Sequence, residues 1–146
     1  MTALKNRTVG GYCQIVAAIL GLAGLILPII NNNISSSYSL STFGLLTAGA
    51  VLGVVLSVVA VITPTTSLGD LDVVSTLSIM VTVGVYGLII GQMANERILM
   101  ISGLFSWNSG NTVAWSVFYV MIASIVCFAV AAVLLIITSF MKTVKE

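Results

Sequence analysis

The chain has 146 residues, 59% of them hydrophobic and 6% charged, with a net charge of +1 and a mean hydropathy of +1.21. A soluble globular domain carries about 25% charged residues, so this composition excludes an ordinary polar shell. Either lipid or further copies of the chain must cover the apolar surface. Without a cluster of Lys and Arg there is no direct signal for nucleic-acid binding. With no histidine and no spaced Cys cluster, no metal site, cofactor or catalytic acid–base pair is expected.

Charge is also unevenly distributed. Between Arg7 and Asp70 lie 62 residues without an acidic or basic side chain, and further gaps run from Asp72 to Glu96 and from Arg97 to Lys142. A charge at a bilayer centre costs about 2.5–3.5 kcal/mol on insertion scales, so such gaps mark segments meant for an apolar solvent.

Taken in chain order, the first apolar segment covers about 9–30. Lys5 and Arg7 resemble the flank of a signal peptide. The run is nevertheless longer than an h-region of about 7–15 residues, so a retained span is expected. Pro28 falls in its last turn, where a lost backbone donor does little harm, and the polar run from Asn31 to Ser37 ends it. The second segment covers about 42–63 and stops at Pro64. Ser67 and Asp70 have capping-box spacing and Asp72 sits in a first turn, which starts a third segment over about 73–94. No Gly or Pro interrupts the chain at Asn95-Glu96-Arg97, so this helix is free to continue toward Ile101. A turn at 108–111 precedes a fourth segment, 113–141, with Thr112 as its candidate cap and Lys142 and Lys145 after it.

Each segment approaches the roughly 20 residues that cross a bilayer. None alternates as a barrel strand would: 51–60 reads VLGVVLSVVA. The expected fold is all-α, a single domain of four long hydrophobic helices in two helical hairpins, 9–63 and 68–141. An even number of spans puts both termini on one side. Lys5, Arg7, Lys142 and Lys145 make that the cytoplasmic side by the positive-inside rule.

Small residues recur at helical spacing. Gly10, Cys13, Ala17, Gly21 and Gly24 form one stripe; Gly49, Gly53, Ser57 and Ala60 a second; Gly84, Gly87, Gly91 and Ala94 a third. Such faces let apolar helices approach closely, and the expectation is that these stripes are helix contacts. Cys13 and Cys127 read as small packing residues. The polar residues inside the spans are Gln14, Thr47, Ser57, Thr82, Tyr86, Gln92, Ser124 and Thr138; the hydroxyls are expected to bond carbonyls of their own helix. Glu96 and Arg97 point about 100° apart on a helix. They form a solvated step at the interface or meet partners on a neighbouring chain; the first is favoured. Two sequons occur, at Asn6 and Asn33, and only Asn33 lies on the expected outer turn.

Apolar 9–30 and 42–63 about one polar turn, then 73–94 and 113–141 about a second, resemble the coat proteins of spindle-shaped archaeal viruses across the whole chain. Those coat proteins are small hydrophobic chains of helical hairpins with short Ser/Thr/Asn turns. The resemblance implies a virion shell in which copies of the chain pack against one another. The sequence reading therefore favours a structural, self-assembling subunit in a virion or membrane. The alternative is a small four-span subunit of a transporter, channel or larger membrane complex, and an enzyme has no site to work with.

Overall fold

A computed structural model describes residues 7–63, 71–141 and 143. It is an all-helical bundle of four long helices: α1 (Val9–Ile34), α2 (Phe43–Ile62), α3 (Leu71–Ser106) and α4 (Thr112–Ser139), with a single 3₁₀ turn at Ser36–Tyr38 between α1 and α2. All four are long and apolar enough to cross a membrane. The expected turn at 64–67, the Ser67–Asp70 box and the terminal lysines lie outside the described residues.

The helices form a closed ring in which α1 packs on α2 and α4, and α3 packs on α2 and α4. The hairpins α1–α2 and α3–α4 are thus zipped into one body, with α1 against α4 the most extensive contact. Antiparallel register between α1 and α4 is fixed at three levels. The Asn31 side chain donates to the Val117 carbonyl (2.9 Å), the Ser124 hydroxyl to the Gly24 carbonyl (3.0 Å), and the Thr8 amide to the Thr143 carbonyl (3.1 Å). The last of these brings both ends of the described chain to one end of the bundle. That end is called inner below, and the end carrying the two short connections outer.

Three boundaries differ from the sequence reading. α1 does not end near Ile30 but runs through the start of the polar run to Ile34. The polar run fails to stop it because Asn31 has a buried partner on α4, and Asn33 bonds back to the Ile29 carbonyl (2.8 Å). α3 has 36 residues: it continues through Glu96 and Arg97, as the sequence allows, and goes past Ile101 to Ser106. α4 is capped by Asn111, whose side-chain oxygen accepts from the Ala114 amide (3.0 Å); Thr112 is the first helical residue.

At about 1.5 Å per residue α2 spans about 30 Å and α3 about 54 Å. Beyond the level of Arg97 the α3–α4 tip therefore stands clear of α2. Phe105, Trp115, Phe118 and Tyr119 hold it together by edge-to-face and stacked ring contacts at 5.3–5.9 Å.

Candidate functional site

The outside of the bundle is apolar on every helix: Ile19, Leu45, Leu52, Leu77, Leu88, Val126 and Val133 are all exposed. The inside is where the polar side chains collect. Gln14, Asn31, Ser57, Ser75, Ser78, Thr82, Arg97, Ser124 and Thr138 are buried and distributed over all four helices. This inversion is the most site-like feature of the molecule, and it has three levels.

At the outer level Arg97 is only 4% exposed, and its guanidinium donates to Asn31 Oδ1 (3.2 Å). Asn31 passes the connection to the Val117 carbonyl, so one side chain ties α1, α3 and α4 together. Glu96 turns the other way. Its carboxylate accepts from the Ser41 amide (2.8 Å), the Thr42 amide (3.1 Å) and the Thr42 hydroxyl, at the positive end of α2. Asn32 accepts from the Leu40 amide (2.9 Å) and Asn111 donates to the Tyr38 hydroxyl (3.0 Å). The connection from Ser35 to Thr42 is thereby strapped across the outer end. Glu96 and Arg97 are neither of the alternatives read from the sequence: each meets a partner within its own chain.

At the middle level two aromatic rings fill the glycine stripes of α1 and α2. Tyr86 lies against Gly21 and Gly53, where a Cβ on Gly53 would stand 2.5 Å from the ring. Phe128 lies against Gly24, at 2.9 Å from such an atom, and packs on Tyr86 with the rings tilted by 45° and their centroids 4.9 Å apart. Ala17 and Ser57 are fully buried in the same stripes. These small residues thus receive side chains instead of letting two backbones touch, and the α1 stripe passes through Gln14, with Cys13 half-buried beside it.

The α3 stripe behaves differently from the expectation. Gly84, Gly87 and Gly91 face out of the bundle, and a Cβ on any of them meets nothing within 4 Å. The buried face of α3 is set by Ser75, Ile79, Thr82, Tyr86, Ile89 and Met93, and Gly87 is turned about 100° from Tyr86. Gly49 is intermediate: a Cβ on it would stand 3.7 Å from the Ile89 side chain, beside an outward groove of about 510 Å³ between α2 and α3.

At the inner level the hydroxyls of Ser57, Thr82 and Thr138 donate to carbonyls of their own helices (2.7–2.9 Å), as expected, whereas the Ser124 hydroxyl departs from that expectation and crosses to the Gly24 carbonyl of α1. Gln14 differs again: it is wholly buried, and neither its amide nitrogen nor its oxygen has a partner among the described residues. The Tyr86 hydroxyl likewise has none.

Among the described residues no group of His, Cys, Asp or Glu is able to hold a metal. Sequence reasoning overlooked Asn31, Ser75 and Ser78. Asn31 was within reach of it, since it continues the α1 stripe seven residues past Gly24. No family model, no curated protein and no solved structure matches the chain.

Proposed function

We propose that the protein is a structural, self-assembling bundle that embeds in an apolar environment and packs side to side with other copies, as a coat subunit of a virion does. The observation that carries this reading is the outer surface. Each of the four membrane-length helices keeps only 28–33% of its most apolar window buried inside the chain, leaving the rest to be covered from outside. The short outer connection is strapped down by Glu96 and Asn111, which leaves little room for a separate soluble activity. Copies of the chain are the proposed partners, with the termini on the cytoplasmic or interior side. Asn33, exposed at the outer end of α1, is the candidate glycosylation acceptor.

One observation favours a second reading, a four-span subunit of a transporter or channel: the buried polar side chains are gathered inside the ring. Liposomes containing the purified protein separate the two. The structural reading expects no solute or ion flux above protein-free vesicles; selective, saturable flux favours the transport reading and contradicts it.

A further inference from the structure

The inner half of the bundle holds a polar group that the packing leaves unmet. Gln14 projects from the buried stripe of α1 between Gly10 and Ala17, at 0% exposure, with both ends of its amide unpartnered among the described residues. An amide brings two donors and an acceptor, and burying one unpaired in an apolar medium is strongly unfavourable.

Register places its neighbours. Tyr86 touches Gly21 and Gly53, so these three positions share a level. Descending from it toward the inner end, Ser57 lies one turn along α2, Thr82 one turn along α3, and Gln14, Ser78 and Ala60 about two turns along their helices. All of these are buried. The Tyr86 hydroxyl lies against Gly21 with the Ser57 side chain beside it, at the top of this region, and makes no well-formed hydrogen bond. Hydroxyls that donate to their own carbonyls still keep acceptor lone pairs.

We propose that the inner half of the bundle axis, between Gln14 and the Tyr86 hydroxyl, is a binding site for water. The lining decides the class of ligand. Among the side chains the structure describes, the charged ones are Arg7 at the inner mouth and Glu96 and Arg97 at the outer level, and the described lining groups, on Gln14, Ser57, Ser78, Thr82 and Tyr86, are all uncharged. A bare ion entering it would forfeit hydration for a lining of neutral groups, whereas water both donates to the Gln14 oxygen and accepts from its nitrogen. Ala17, Ser57, Ala60 and Ala131 make the lining short-chained, so slight breathing of the helices admits a molecule that occupies about 30 Å³. Toward the outer end, the Tyr86–Phe128 layer seated on Gly21, Gly24 and Gly53 closes the site.

The test is water-edited solid-state NMR of the full chain in bilayers, below the pH and temperature at which side-chain amides exchange chemically. The exposed Asn33 amide serves as the positive control. The expected result is magnetisation transfer from water to the Gln14 side-chain nitrogen and to the Ser78 and Thr82 side chains, with the latter two signals lost in Gln14→Leu. Transfer to Asn33 with none to Gln14 in the unsubstituted protein overturns the proposal, and that arm does not depend on the variant folding.

Discussion

The hydroxyl of Tyr86 on α3 occupies the space in which a side chain at Gly21 on α1 would begin. The same ring presses on Gly53 of α2, so a single aromatic residue holds three helices at a common level. A side chain at Gly53 meets the edge of the ring and one at Gly21 the hydroxyl at its tip, and the ring is held between Gly53 and Phe128. Gly21→Ala and Gly53→Leu are each expected to destabilise the bundle by about 1–3 kcal/mol through overpacking. Gly87→Ala, with open space around it, is expected to leave the isolated bundle unchanged or slightly more stable, because alanine favours helix. Denaturant titration in detergent, followed by circular dichroism, distinguishes the two classes. Equal effects at Gly53 and Gly87 contradict the assignment of faces.

Arg97 and Asn31 form an asymmetric pair. Asn31→Leu removes the oxygen that receives the buried guanidinium and is expected to cost about 3–5 kcal/mol. Arg97→Met removes the charge itself while keeping the packing, and is expected to change stability by less than about 1.5 kcal/mol or to raise it. Unfolding free energies of the two variants and their double mutant check this. A larger loss in Arg97→Met than in Asn31→Leu contradicts it.

Glu96 fixes the start of α2. In Glu96→Ala the Ser41 and Thr42 amides lose their acceptor, at an expected cost of about 1–3 kcal/mol. Hydrogen exchange at these two amides should accelerate in the variant while amides in the middle of α2 stay protected. Uniform acceleration along α2 indicates general unfolding instead.

The α4 cap gives a smaller test. Asn111→Ala is expected to lose about 1 kcal/mol, and Thr112→Ala much less, because only Asn111 accepts from a first-turn amide. Thermal unfolding of the two variants compares them directly, and a larger effect at Thr112 assigns the cap to the wrong residue.

How much of this was legible in the sequence follows from the physics of each signal. Length and apolar patterning require the bundle to be helical and four-membered, because only helices satisfy their own backbone in an apolar medium outside a closed barrel. Element ends were less legible. Asn31 resembles a stop signal locally, yet its tertiary partner, the Val117 carbonyl, favours continuing the helix. The glycine stripes were visible as periodicities, but a periodicity gives the spacing of a face and not its direction. The stripes of α1 and α2 turn inward because Tyr86 and Phe128 need room, whereas Tyr86 orients α3 so that its own glycines point out. The polar interior was visible only as scattered hydroxyls, since their convergence depends on the register between helices.

The proposed joining of copies through the apolar outer faces is tested most directly by cryo-electron microscopy of the purified protein after detergent is exchanged for lipid. The expected images show extended tubes, shells or sheets with repeating contacts between bundles. Isolated monomers or small discrete oligomers, evenly dispersed in the bilayer at every protein-to-lipid ratio, contradict it.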